Sequence, residues 1–416
     1  MRITRAASRA TAKRRAIAAR AAANSDEPVI IVGGGINGCS IAYQLSLKGR
    51  KAIVIERSSI AASSSGKAGG FLARGWGDGG VTQALHRVSF DLHAQLAETL
   101  GIESYRKIPV LSVQPEGGGL FRMGVGSGVQ PAWLSGDGVS ARMLDADGGA
   151  QVVPRELTEK MFAASGAELV TGAAEGLEMS DDGTCEGVSV RHEDGSVSIV
   201  RGAQVVVAMG IWSVLLEDWL GSDWISVPME GIKSTSLVFD GGDAVRQEPY
   251  ALFTAEDSNG CHLEVYPRPD GTVYICGIGG SDYVRGSRLR AGGDCEKPEY
   301  VHEDPSRVAA GTASFTAMAP GMAGKEPLAQ ACMRPCASDA LPMIGGVPGT
   351  TNLFLATASN CWGILWGPVV GLAMAELLTE GESKCVDLTA FSPGRFMRRK
   401  TGRGRKMGSV PTGEQW

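Results

Sequence analysis

Gly33-Gly34-Gly35-Ile36-Asn37-Gly38 contains a Gly-x-Gly-x-x-Gly spacing, directly after the apolar run Val29 to Val32 and opening an amphipathic stretch. At a strand-to-helix junction of this kind, Gly33 permits the tight turn and Gly35 lets a pyrophosphate approach the helix N-terminus, beside Ile36 and Asn37. Gly38 allows the helix to lie close on the strand. Glu56, 21 residues beyond Gly35, ends a second apolar run, Ala52 to Ile55. A carboxylate there can accept hydrogen bonds from a ribose diol. Together these residues point to a bound dinucleotide, the plain alternative being an ordinary glycine turn. Glu56 would repel a 2′-phosphate, an argument that the adjacent Arg57 softens.

The residues after Glu56 narrow the choice of dinucleotide. An NAD dehydrogenase would continue with another strand-helix-strand unit, whereas here follows Ala61-Ala62-Ser63-Ser64-Ser65-Gly66-Lys67-Ala68-Gly69-Gly70-Phe71-Leu72. Small residues and free amides permit close contact with a pyrophosphate and a flavin ring, and hydroxyls can meet a ribityl chain. A flexible linker has the same composition, but Phe71 and Leu72 argue for a docked loop.

The elements that must position these groups are legible in outline. Val29 to Val32, the helix from Ile36 and Ala52 to Ile55 form a βαβ unit whose strands are parallel neighbours. Residues 83 to 100 read as a helix, and the glycine-rich stretch from Pro115 to Gly149 marks a mobile loop or a domain crossing. Arg155 to Ser165 reads as helix, Glu168 to Thr171 as strand, and Val188 to Arg191 with Val197 to Arg201 as a hairpin. Gln204 to Ala208 has the apolar character of a parallel interior strand. Ser234 to Phe239, His262 to Pro267 and Thr272 to Gly277 read as antiparallel strands between Gly/Asp turns. Asn352 to Thr357 returns to the parallel pattern, followed by a helix over Val369 to Thr379 after Pro368. The expected fold is α/β plus antiparallel β. A Rossmann-type nucleotide domain (27–80, 150–220 and 325–392) is interleaved with an antiparallel-sheet substrate domain (81–149 and 221–324). The flanks are a leader or arm (1–25) and a basic tail (393–416).

Composition sets the bounds. The chain has 416 residues, 43% hydrophobic and 20% charged, which excludes disordered, collagen-like and coiled-coil classes. Its 58 glycines are about twice the usual share, as many tight turns require. Residues 1–25 and 395–406 hold 14 of the 40 basic residues and no acid, so the rest of the chain sets 26 basic against 45 acidic residues. A nucleic-acid footprint on a folded face is therefore not expected. The Ala/Arg/Ser-rich leader has the composition of an organelle-targeting presequence, plastid or mitochondrial; as a solvated arm it would leave the protein cytoplasmic. Nine dispersed cysteines without zinc-ligand spacing, and five histidines, suggest a reducing compartment and no structural metal. No charged residue occurs between Asp339 and Glu376, but Pro342, Pro348, Asn352, Asn360 and Pro368 interrupt the stretch. It reads as a buried strand, loop and helix rather than a membrane span.

With these signatures the chain resembles the FAD-dependent amine and amino-acid oxidoreductases of the D-amino-acid oxidase superfamily, in the glycine oxidase and sarcosine oxidase branch, from residue 28 to about 392. The resemblance is carried by the glycine motif with Glu56, the Ser-rich segment ending Ala68-Gly69-Gly70, the strand and turn from Val205 through Gly210, Ile211 and Trp212 to Ser213, and the late run from Arg334-Pro335 through Asp339-Ala340-Leu341-Pro342 to Trp362-Gly363-Ile364. Through Ser65 to Leu72 and Cys361 to Gly367 it looks closer still to a fungal and plant subgroup of poorly defined substrate. It implies an FAD-binding domain and oxidation of a primary or secondary amine or amino acid, with hydride passing to the flavin. The implied cofactor contacts are Ser64, Ser65, Gly66, Lys67, Ala68, Gly69 and Gly70, backbone near Glu175 at the adenine, Gly210 and Trp212. Ser359 to Leu365, including Asn360, Gly363, Ile364 and Leu365, would pass the flavin's reactive edge. Arg334 matches the position that holds a substrate carboxylate, or is a structural arginine. Cys361 and Trp362 stand where some relatives have a second basic residue, and Trp362 with Trp366 is either an amine pocket or core. Cys332, seven residues before Asp339, matches a cysteine that some relatives join to the flavin, while others bind it noncovalently. The rival to an enzyme is a flavin fold kept as a regulatory or interaction module. The expected partner is a small-molecule amine or amino acid.

Overall fold

The computed structural model describes residues 26–115, 129–221 and 225–396. The leader expected over 1–25 and most of the basic tail lie outside these residues. β1 (Val29–Val32), α1 (Ile36–Leu47) and β2 (Ala52–Glu56) form the expected parallel unit, with Ile31 level with Val54. They sit in a six-stranded sheet whose order runs Met343–Gly346, Leu353–Thr357, Gln204–Val207, β1, β2, Glu168–Thr171. All neighbours are parallel except the first pair. All four residues of β1 are buried, as are all four of Gln204–Val207, because helices and a second sheet cover both faces.

On one face of this sheet lie α1, α2 (Gln83–Leu100) and α3 (Gly363–Glu380), together with the helix Pro154–Ser165. Leu85, Phe90 and Leu96 of α2 share a core with Ile41 and Leu45 of α1 and with Val369, Val370 and Met374 of α3. Residues 83–100, expected in the substrate domain, thus pack with the nucleotide domain. α3 is long and apolar enough to cross a membrane, yet most of it is buried inside the protein, as in a core helix.

α3 begins at Gly363, six residues before the expected Val369, and carries Pro368 inside it. Proline has no N–H for the carbonyl four residues back and normally breaks a helix. Here α2 supplies the missing partners. His93 Nε2 meets the carbonyl oxygens of Ile364 and Leu365 at 3.0 and 3.2 Å, and Ser89 Oγ accepts the Val369 N–H at 3.2 Å.

The second unit is an eight-stranded sheet built on the long strand β3 (Met229–Asp240). Beyond it come β4 (Glu264–Pro267) and β5 (Thr272–Cys276), with β5 between β3 and β4, then Ala251–Thr254, Val110–Gln114 and Ser140–Asp145. β6 (Leu328–Ala337), expected within the nucleotide domain, pairs antiparallel along β3, Arg334 opposite Ile232. The stretch after Pro115, where it is described, returns as a strand of this sheet. Residues 393–396 form a short helical turn, and Arg395, expected in a solvated tail, pairs with Asp339 at 2.7 Å.

Candidate active site

A long cleft runs from the carboxyl ends of β1 and β2 to the face of the second sheet, lined at one end by Gly33, Gly35, Glu56 and Gly172 and at the other by Trp76, Glu264 and Arg334. Its first end is set by backbone geometry. Gly33 has φ +113°, and a Cβ there would lie 2.5 Å from the Ala208 carbonyl oxygen; at Gly38 it would lie 2.0 Å from that of Gly33. Neither position has room for a side chain, which is the reason for the motif's spacing. Gly35 caps α1 without a side-chain hydrogen bond, and the Ile36 N–H donates to Ser65 Oγ at 2.9 Å.

Glu56 accepts the Gly34 N–H at 2.8 Å on one oxygen and the Ser58 N–H at 2.9 Å on the other. Burial pushes its carboxyl pKa up, and these backbone bonds oppose the shift. A carboxylate has about four acceptor positions, so capacity remains for a diol. Arg57 turns to Glu296, 3.3 Å away, at the cleft rim. Glu175, whose surroundings were expected at the adenine, pairs instead with Arg191 at 2.7 Å and does not line the cleft; Gly172, Ala173 and Ala174 do.

The Ser-rich segment is docked rather than a loose linker. Its short helix Ser64–Lys67 is tied to β6: Ser64 Oγ donates to Met333 O at 2.6 Å and Lys67 Nζ to Ala331 O at 3.2 Å, while Gln330 Nε2 donates to Lys67 O at 2.9 Å. Ser64, Ser65, Ala68, Gly69 and Gly70 line the cleft, whereas Gly66 and Lys67 face β6 and the helix behind. Across the cleft, Gly210 and Trp212 follow the interior strand; Gly210 O accepts from Thr357 Oγ1 at 2.7 Å, and Trp212 Nε1 donates to Cys295 O at 3.1 Å. Ile36, Asn37, Asn360, Cys361, Trp362, Gly363 and Ile364 also line it, while Leu365 is buried in the core. Asn37 Oδ1 and Ser359 Oγ are buried with no hydrogen-bond partner. These unmet polar atoms, an α1 terminus whose cap residue Gly35 has no side chain, and the glycine cradle suit FAD: Glu56 and Gly172–Ala174 would hold the adenosine, Gly35 and Ser65 the pyrophosphate, and Gly210, Cys332 and Asn360–Ile364 would surround the ring.

The far end is walled by aromatic rings. Phe71 stacks on Tyr266 at 5.2 Å between centroids, Trp76 meets Phe253 at 4.8 Å and Trp362 at 6.1 Å. Trp362 is thus a cleft residue, whereas Trp366 is core, 2% exposed. Arg334 projects here from β6. Protein crowds it, its remaining accessible surface opens into the cleft, and its Nε has no hydrogen-bond partner. Cys332 also lines the cleft, and burial raises its thiol pKa despite the opposing charges of Arg334 and Lys67. The protein packed around the Cys361 thiol, on a residue itself exposed at the cleft, pushes it up to about 11, so both sulfurs are thiols at neutral pH. Sequence reasoning did not single out Glu264, Tyr266, Tyr274, Trp76 or Phe253. The i, i+2 spacing of Glu264 and Tyr266 on an expected strand was the available signal, since it puts both on one face.

The family described as FAD dependent oxidoreductase (DAO) matches residues 28–377. An oxidoreductase of Schizosaccharomyces pombe is 24% identical over 88% of this chain and 97% of its own length. A glycine oxidase of Bacillus licheniformis is 25% identical over 88% and 96%. The solved structure of L-amino acid deaminase from Proteus myxofaciens, in complex with anthranilate, superposes with a TM-score of 0.69 at 20% identity, covering 90% of this chain and 94% of that one.

Proposed function

The chain belongs to the FAD-dependent oxidoreductase (DAO) family, and from that premise we propose that it oxidises a carboxylate-bearing amine or amino acid, with Arg334 as the carboxylate anchor. FAD, when bound, supplies the acceptor for the hydride that leaves the carbon next to nitrogen. The chain's own residues bind, orient and exclude water. The planar guanidinium of Arg334 pairs two oxygens at once and stays charged when enclosed. Cys332 and Cys361–Ile364 line the same cleft as Arg334, so fixing the carboxylate brings the adjacent carbon among them. The aromatic wall keeps that region dry. Both cysteines stay protonated, so neither competes for substrate as a nucleophile.

The observation that carries this reading is an enclosed arginine whose Nε lacks a partner and which forms no ion pair among the described residues. A half-buried charge without an ion-paired partner loses part of its hydration, and a substrate carboxylate offsets that loss. Mixing the FAD-loaded protein anaerobically with N-methyl and D-amino acids tests it. At least one should bleach the flavin. Arg334→Ala should raise the concentration needed for half-reduction, or the Michaelis constant, well over tenfold with FAD content kept, since losing such a charge partner costs about 2–5 kcal/mol. No bleaching by any member, or an unchanged Arg334→Ala, would reject the reading.

A further inference from the structure

The aromatic end of the cleft holds a carboxylate that the reaction as described does not use. Resting on the reading above, we propose that Glu264 is a second charge anchor, which selects zwitterionic substrates by holding a substituted ammonium against the aromatic wall while Arg334 holds the carboxylate.

Glu264 lies on β4, level with Cys276 of β5 on one side and Phe253 on the other. Its Oε2 receives the Tyr266 hydroxyl and, at 3.5 Å, the Cys276 thiol. Its Oε1 receives no donor from any described residue, and Glu264 lines the cleft. One oxygen is therefore spent on fixing the side chain, and the other is left to a ligand. Among the described residues Glu264 forms no ion pair, and Arg334, an opposite charge close enough to act on it, lines the same cleft without bridging to it. Two opposite charges on one sheet face, in a cleft that aromatic rings also line, form the complement of a zwitterion.

The rings suit the cation. Phe253, Tyr266, Trp76 and Trp362 form a continuous wall, with centroid separations of 4.8 to 6.1 Å. A substituted ammonium spreads its charge over its methyl groups and is attracted to ring faces and to a carboxylate together. A neutral group of the same shape gains only the packing and leaves Glu264 without a counter-charge.

Glycine betaine and tert-butylacetic acid separate the two cases, because they share a shape and a carboxylate and differ only in the nitrogen's charge. Binding of each to FAD-loaded protein is read from the perturbation of the flavin visible spectrum, so no turnover is needed. Wild type should bind betaine at least about tenfold more tightly, roughly 1.4 kcal/mol. In Glu264→Gln the preference should fall below about twofold, with FAD content and tert-butylacetic acid binding kept, as expected for an isosteric loss of charge. Equal binding in wild type overturns the proposal even if the variant fails to fold, and so does a preference that survives in Glu264→Gln. If both acids bind equally and Arg334→Ala weakens both, Glu264 loses its role while the amine-oxidation reading stands. If neither perturbs the flavin and the amine panel also fails, both fall.

Discussion

Acid should act on this protein through His93, which holds the start of α3 from behind the cleft. The His93 ring is buried, and both groups facing its Nε2 are carbonyl oxygens, so that nitrogen carries the proton and Nδ1, which has no partner, does not. Burial depresses the pKa from 6.5 to about 4, against the two carbonyl hydrogen bonds that favour the cation. Between those values the unfolded chain holds the proton more tightly than the folded one. The stability from neutral His93 is therefore complete above about pH 6.5, falls as pH drops towards 4, and changes no further below. At about 1.4 kcal/mol per pH unit the total is about 3 kcal/mol. His86 is depressed in the same direction, mainly by burial, so the comparison must be between variants that share it. His93→Gln keeps an N–H donor but cannot titrate, and the pH dependence of its urea unfolding should be shallower than wild type by about 3 kcal/mol across this window. His93→Phe strands the carbonyls that Pro368 leaves open, and should cost about 1–3 kcal/mol at neutral pH. An acid slope in His93→Gln equal to that of wild type would refute the reasoning, as would a His93→Phe protein of unchanged stability.

The remaining predictions concern the cofactor. Gly35→Val should lower FAD occupancy by placing a branched side chain where the pyrophosphate approaches and against Ser65 Oγ, which a Cβ alone would reach at 3.2 Å; full occupancy in the purified protein would remove the site from this turn. Gly38→Ala puts a Cβ 2.0 Å from the Gly33 carbonyl, so it should give colourless or insoluble protein, and a yellow, stable variant would contradict the packing described. Because burial keeps Cys332 protonated, FAD should separate into the supernatant on acid precipitation; a yellow pellet whose colour is lost in Cys332→Ala would show a covalent link instead.

The nucleotide end was legible in the sequence because its determinants are local. A strand, a turn that admits no Cβ at Gly33 or Gly38, a helix and a carboxylate lie within 28 residues, from Val29 to Glu56, and backbone sterics alone dictate their order. The buried parallel strands Val29–Val32 and Gln204–Val207 were legible for a similar reason, since burial on both faces leaves an uninterrupted apolar run. The other end depended on partners remote in the chain. Pro368 reads as a helix start, and only a histidine 271 residues earlier lets the helix begin at Gly363 and carry that segment along the cleft. β6 carries no local mark of its sheet; pairing with β3 moves Arg334 onto the face that also bears Glu264, Tyr266 and Tyr274. Strand alternation says which residues share a face, but which strands lie side by side is decided by long-range pairing. The glycine turn expected to receive a dinucleotide was therefore determined by adjacent residues, and the placing of an arginine and a glutamate on one sheet face by tertiary structure alone.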